Sequence, residues 1–212
     1  MGTSRVKYIN ITASWILIIL VTVACLLIWP SKGLAFSDLE AKQALEAAME
    51  YVTLEYDSEG ELRQGVAYCF GGQDNISNYL SKISQGAEPG KEAGIDASGL
   101  VINAYRSVYP ALRFVQVSNS RELVVNDANS MTLYLWNVRP LPPEELEPGD
   151  LVFFGTEGSG INGVALYAGE QDGRMQIVTA SQSQGKVVVT GMRLGGDYWK
   201  RSFAGAGRLI KR

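Results

Sequence analysis

The stretch GIDASGLVINAY, residues 94–105, combines a helix start with an apolar helix face. Apolar residues recur at helical spacing from Leu100 to Tyr105, and Asp96 stands where an N-cap is expected. A helix N-terminus stabilises a negatively charged group such as a thiolate, because of the helix dipole and the free N–H groups. Ala97 occupies this position, and its methyl side chain gains nothing from it. The position therefore suits a reactive group, and the residue found there has none.

The regions on either side of this stretch differ in hydrophobic pattern, and the difference indicates an α+β fold. A capping box at Ser37 and Glu40 predicts a helix that ends near Tyr56, and residues 74–85 predict a short amphipathic helix. After the proline-rich loop at residues 140–148, short apolar segments alternate with glycine-containing turns. We therefore expect N-terminal helices packed on a C-terminal antiparallel sheet.

The N-terminus of the chain has the composition of an export segment. Arg5 and Lys7 precede an uncharged apolar run at residues 15–29, and small residues follow at Gly33 and Ala35. This pattern predicts either a cleaved signal peptide or an uncleaved N-terminal membrane anchor. The expected organisation has three parts: the export segment at residues 1–35, an N-terminal helix at residues 36–64 and a domain at residues 65–212.

Composition excludes several classes of function. The chain carries 19 basic and 22 acidic residues with no long run of either sign, which argues against a nucleic-acid-binding surface. Its cysteines are Cys25 and Cys69, and it contains no histidine. A cysteine- or histidine-based metal site is therefore excluded, and we expect no metal and no cofactor. The usual general base of catalysis at neutral pH is missing as well.

Five short blocks of the sequence follow one another in a characteristic order: AYCFGG, GIDASGLV, PGDLVFF, GVALYAG and QIVTAS. Together they resemble the NlpC/P60 family of papain-like cysteine peptidases, which cut the peptide stems of bacterial cell walls. The resemblance extends over residues 65–210 and implies the papain-like arrangement of helices on an antiparallel sheet. The block that contains Ala97 opens a helix, as the family pattern requires.

The resemblance also implies where the catalytic residues would stand. The nucleophilic cysteine corresponds to Ala97, and the histidine that pairs with it corresponds to Gly163, or to Asn162 if the loop is shifted by one. The orienting residue corresponds to Thr179. In the family, the helix N-terminus lowers the pKa of the thiol and the strand residues activate it. None of the residues found here supplies this chemistry, so we expect the catalytic site to be inactive.

Three polar residues around the nucleophile position are retained: Tyr68, Asp96 and Ser98. In the family they line one side of the cleft and help to hold the free amine of the substrate, which makes them candidate ligand-binding residues here. A structural interpretation is equally sufficient. Asp96 and Ser98 would then cap the helix, and Tyr68 would belong to the core.

Two other catalytic routes are less favoured by the pattern. Cys69 neighbours Tyr68 in an extended segment, so its side chain is expected to point away from the cleft and to be buried and inert. Ser98 would need a base, and Lys91 in the preceding loop is the candidate amine.

These expectations lead to three hypotheses. The first is an exported, inactive NlpC/P60-like domain at the periplasm or cell surface, which binds a peptidoglycan stem peptide or an envelope protein. The second is an active peptidoglycan endopeptidase or amidase with a non-standard catalytic group. The third is a structural subunit of an envelope complex with a closed cleft. The segment GGDYWKRSF, residues 195–203, is either a contact surface or part of the core.

Overall fold

The described part of the chain begins just after the predicted export segment's apolar run. The computed structural model describes residues 33–156, 160–193 and 195–212, so residues 1–32 of that segment lie outside it. Among the described residues, no helix is long and apolar enough to cross a membrane. Gly33–Arg212 form one compact unit.

Helices dominate the first half of this unit. They are α1 (Asp38–Thr53), α2 (Ile76–Ser84), α3 (Ala97–Val108) and α4 (Ser130–Trp136), and a further short helix, α5 (Asp197–Ser202), lies near the C-terminus. The predicted capping box is present: Ser37 Oγ accepts a hydrogen bond from Glu40 N, and the Glu40 carboxylate accepts one from Ser37 N. Side-chain oxygens of Asn75, Asp96 and Asn129 cap α2, α3 and α4 in the same way, because each accepts a hydrogen bond from the first turn.

The second half of the unit is an antiparallel sheet. Its strands are β5 (Val138–Pro140), β6 (Leu151–Thr156), β7 (Gly160–Gln171), β8 (Arg174–Ser181), β9 (Lys186–Met192) and β10 (Phe203–Leu209), in the order β5-β10-β6-β7-β8-β9. Two hairpins precede it, β1 (Glu55–Ser58) with β2 (Glu61–Gln64) and β3 (Phe114–Ser118) with β4 (Arg121–Val125). The expected α+β architecture, with N-terminal helices on a C-terminal antiparallel sheet, is confirmed.

Both faces of the sheet are covered, since alternate residues of a strand point to opposite sides. On one face, Leu151 and Phe153 join the main core with residues of α1 and α3. On the other face, Val152 belongs to a smaller cluster. Trp199 and Phe203 pack against that cluster with their rings stacked 3.9 Å apart. Trp199 and Phe203 of the segment 195–203 are therefore half-buried and pack against the core.

The structure corrects the expected end of the first helix. α1 ends at Thr53, and Tyr56 lies in strand β1 with its ring against that of Tyr79, at a centroid distance of 5.1 Å. The chain reverses at Glu59 and Gly60, which both have positive φ. Such a turn matches the twist of a tight hairpin, and the hairpin could not form if the helix continued to Tyr56.

Candidate functional site

A cleft of about 1550 Å³ opens between the start of α3 and the sheet. Its lining includes every position that the resemblance singled out: Tyr68, Asp96, Ala97, Ser98, Asn162, Gly163 and Thr179. Ligand-binding clefts commonly measure about 300–1,000 Å³. The cleft is therefore open and large enough for a ligand longer than a single amino acid.

The helix side of the cleft is built on the N-terminus of α3. Asp96 Oδ1 accepts hydrogen bonds from Gly99 N at 2.7 Å and from Ser98 Oγ at 2.9 Å. The structural interpretation is thus satisfied, because Asp96 caps the helix and the Ser98 hydroxyl donates to the capping carboxylate. Both are only half-buried and also face the cleft. Capping and ligand contact are compatible at this position.

Tyr68 stands opposite Asp96 on the segment that leads into the cleft. Its backbone N–H donates to the carbonyl of Gly185 at 2.8 Å, which fixes the segment to the β8–β9 turn. Burial raises the pKa of the Tyr68 phenol, and the negative charge of Asp96 raises it further. The phenol is therefore neutral near pH 7 and offers both a donor and an acceptor to a ligand. The ring packs on the main core while lining the cleft, so both interpretations hold for Tyr68 as well.

The strand side of the cleft has no reactive side chain at the two expected positions. Gly163 lies in β7, and a Cβ placed there would meet Phe154 at 3.4 Å, an ordinary van der Waals contact. A side chain would therefore fit at position 163. Thr179 lies in β8 and donates its hydroxyl hydrogen to the carbonyl of Val164 at 3.0 Å. The hydroxyl hydrogen of Thr179 is therefore already engaged in a hydrogen bond within the sheet.

The alternative catalytic groups lie elsewhere. Cys69 does not line the cleft, as expected, and its Sγ lies 3.5 Å from the carbonyl of Lys91. The expectation of full burial is wrong, because the thiol lies under a loop and remains half-buried. Lys91 is also absent from the cleft lining and pairs with Glu88 at 2.5 Å. That hydrogen bond and charge raise the pKa of Lys91, so its amine is a poorer base for Ser98 than a free lysine.

Several lining residues were not identified from the sequence. Phe70 is 88% exposed at the rim, and Met131 is 37% exposed on the other side. The side chain of Gln73 donates to Asp127 between two walls of the cleft. Phe70 follows Tyr68 by two residues and lies in a turn closed by a hydrogen bond from Gly72 N to the Cys69 carbonyl, so strand alternation does not predict where it points. Met131 and Asp127 lie in a region whose sequence shows no clear helix or strand pattern, and only the tertiary fold brings them to the cleft.

The chemistry of the cleft is that of a binding site with donors, acceptors and charges. Among the described residues, no group of three or more histidine, cysteine, aspartate or glutamate side chains is placed to hold a metal ion. The acids Asp96, Asp127 and Asp197 line the cleft together with Arg193. Such groups can hold a peptide by its amine, its carboxylate and its amide bonds.

Known proteins match this chain in both sequence and fold. The murein DD-endopeptidase MepH of Escherichia coli K12 is 32% identical over 117 residues, which cover 55% of this chain and 37% of MepH. A solved structure from Staphylococcus aureus Mu50, described as similar to lipoprotein, NLP/P60 family, superimposes with a TM-score of 0.52 at 18% identity. The match covers 91% of this chain and 48% of that one, and at this identity it shows the fold alone. The chain thus spans less than half the length of either relative.

The family assignment rests on the stretch that contains the cleft. The sequence model of the NlpC/P60 family matches residues 65–208, which include all five blocks and every candidate position named above. The papain-like fold expected from those blocks is the one observed. This chain belongs to the NlpC/P60 family and is related to murein endopeptidases.

Proposed function

We propose that this protein is a catalytically inactive NlpC/P60 domain that binds a cell-wall peptide in its open cleft, outside the cytoplasm. The export segment expected at residues 1–35 and the murein endopeptidase among its relatives both support this location and this ligand class. Whether the domain is released or stays anchored is a separate matter that the cleft chemistry does not affect.

One observation carries the proposal. The positions of nucleophile, base and orienting residue are Ala97, Gly163 and Thr179, and all three line one cleft. The cleft is therefore assembled as in a peptidase while its reactive groups are gone. Loss of the nucleophile or of its base typically costs several orders of magnitude in rate. Loss of both leaves binding as the function that the cleft can perform.

The open cleft favours ligand binding over a purely structural role. In a scaffold subunit, side chains would fill the space around Ala97, whereas here about 1550 Å³ is free. Catalysis by a non-standard group has less support. Cys69 faces away from the cleft, and Lys91 is paired with Glu88 outside it.

Digestion of purified peptidoglycan tests the inactivity. We expect the domain at residues 33–212 to release no stem peptides above a buffer blank, as measured by chromatography and mass spectrometry. Release that Cys69→Ser abolishes would instead establish an active hydrolase with a displaced nucleophile. Release that survives Cys69→Ser but not Ser98→Ala would point to a serine enzyme.

Calorimetric titration tests the binding. We expect saturable binding of a short peptide with a free N-terminal L-Ala, weakened several-fold by Asp96→Asn. Asparagine caps helices as well as aspartate does, so this change removes the charge while keeping the cap. Asp172→Asn, in the exposed β7–β8 turn outside the cleft, is the matched control. No binding, or equal effects of the two variants, would favour the structural subunit.

A further inference from the structure

We propose that the cleft contains a second subsite, at Arg193, that takes the C-terminal carboxylate of an extended peptide. This inference rests on the proposed binding function and adds to it the polarity and length of the ligand. The peptide amine lies at the Asp96 end of the cleft, and the carboxylate lies at the Arg193 end.

The cleft extends from Thr179 along strands β8 and β9. Thr179 pairs with Val188, and Ile177, which precedes Thr179 by two residues in β8, pairs with Thr190. Residues two apart on a strand share a face, so Ile177 and Thr190 continue the surface on which Thr179 lies. The lining includes this continuation, which we name the β9 arm: Ile177, Thr190, Gly191, Met192 and Arg193.

The strand register sets the length of the ligand. Arg193 follows Val188, the partner of Thr179, by five positions along β9 and its continuation. At a rise of about 3.3 Å per residue, this is about 16 Å. An extended peptide covers about 3.3–3.6 Å per residue, so roughly five residues reach from the Thr179–Val188 pair to Arg193.

The residues of the β9 arm offer an apolar surface to a peptide and a cation to its C-terminus. Ile177 is 2% exposed and gives an apolar floor, and Gly191 adds no side chain to the arm. Arg193 is exposed, and no hydrogen bond or ion pair links its guanidinium to any of the described residues. A guanidinium pairs with a carboxylate through two parallel N–H···O bonds.

The charged residues differ between the two ends of the cleft. Asp96 and Asp127 line the end near α3, and Arg193 lines the far end. Asp197 also lines the far end, from the first turn of α5, and lessens the positive charge there without forming an ion pair with Arg193. A zwitterionic peptide bound with its amine at Asp96 places its carboxylate within reach of Arg193.

A titration with four peptides tests the subsite. Five-residue and two-residue peptides with a free N-terminal L-Ala are each prepared with a C-terminal carboxylate and with a C-terminal amide. We expect the five-residue acid to bind about threefold to fivefold more tightly than its amide, which is the scale of a solvent-exposed ion pair. The two-residue pair, which spans about 7 Å, should show no such preference.

Variants assign the preference to one residue. Arg193→Gln should remove the acid-over-amide preference while leaving amide binding unchanged, and Arg193→Lys should keep part of it. Arg201→Gln, an exposed arginine of α5 outside the cleft, should leave the preference intact. Binding of the five-residue peptides with no preference, or a preference that survives Arg193→Gln, overturns the subsite and leaves the proposed function standing. Failure of all four peptides to bind overturns both.

Discussion

Thr179 donates its hydroxyl hydrogen to the backbone carbonyl of Val164, the residue that directly follows Gly163 on the neighbouring strand. The hydroxyl at the expected orienting position thus bonds to the backbone of the strand, and the expected base position, Gly163, has no side chain to orient. Neither position carries an imidazole or a carboxylate that could serve as a general base. Ala97 lines the same cleft and carries only a methyl group.

Restoring the nucleophile alone should not restore hydrolysis. We expect Ala97→Cys to leave peptidoglycan uncut, because a thiol without a base loses several orders of magnitude in rate. We expect Ala97→Cys combined with Gly163→His to release stem peptides in an iodoacetamide-sensitive manner, since position 163 has room for a side chain. Chromatography of digests measures both. Hydrolysis by the single variant would show that another group serves as base.

Gly149 should not tolerate even a methyl group. Its φ is +99°, and a Cβ would lie 2.0 Å from the carbonyl oxygen of Ala41 in α1. We expect Gly149→Ala to cost more than about 3 kcal/mol of unfolding free energy, measured by urea titration, because the helix must move away from the turn. Gly173→Ala is the control, because Gly173 has a φ of +68° and no atom within 4 Å, so this change introduces backbone strain without a steric clash. It should cost about 1 kcal/mol of unfolding free energy. Equal losses of unfolding free energy in the two variants would mean that α1 moves to admit the methyl group at little cost.

The ion pair between Arg208 and Asp150 should be important for stability. Asp150 is fully buried, and its two oxygens accept hydrogen bonds from the Arg208 guanidinium at 2.7 and 2.9 Å. We expect Arg208→Met to destabilise the fold by about 3–5 kcal/mol, because it leaves the buried carboxylate of Asp150 without its cationic partner, although the backbone N–H of Glu147 still donates to it. Arg63→Met breaks the exposed pair with Glu61 and should cost less than about 1 kcal/mol. Urea unfolding of both variants, with tryptophan fluorescence as the signal, measures the difference.

Stability should fall in acid partly because of Glu40. Hydrogen bonds from Lys211 and Ser37 lower the pKa of Glu40 to about 2, from an ordinary value of 4.5. A carboxyl group whose pKa is lower in the folded protein stabilises the fold above the unfolded pKa and loses that effect as the pH falls. The window here runs from pH 4.5 down to about pH 2.

We expect Glu40→Gln to lower the unfolding free energy at pH 7 by about 1 kcal/mol, since the pair with Lys211 is partly exposed to solvent, with side-chain exposures of 28% and 24%. The difference between Glu40→Gln and the unmodified protein should shrink as the pH approaches 2. Urea titrations at several pH values follow it. A difference that stays constant with pH would assign the effect to helix capping rather than to charge.

The sequence predicted the helices and strands that have strong local signals. The capping box at Ser37 specifies the start of α1, and Asp96 specifies the start of α3, because side-chain caps act within one turn. The end of α1 was predicted wrongly, since a helix pattern can continue past the residue at which a hairpin turn ends it. The β3–β4 hairpin and α4 were not resolved from the sequence, because short elements carry few periods of pattern.

Part of the candidate site could also be predicted, because some of its residues lie in local sequence patterns. The blocks around Ala97, Gly163 and Thr179 are local patterns, so their positions could be named from the sequence. The rim residue Met131 and the cation Arg193 could not, because nothing local marks a residue that folding carries to a cleft.

By itself, the sequence determined that this chain has no imidazole and that alanine rather than cysteine stands at position 97, because both facts are matters of residue identity alone. It also determined the family, through five blocks in a specific order. The tertiary structure decided that the cleft stays open around Ala97 and continues along β9 to Arg193. That shape depends on strand register and on packing between residues far apart in the chain, which no local pattern encodes.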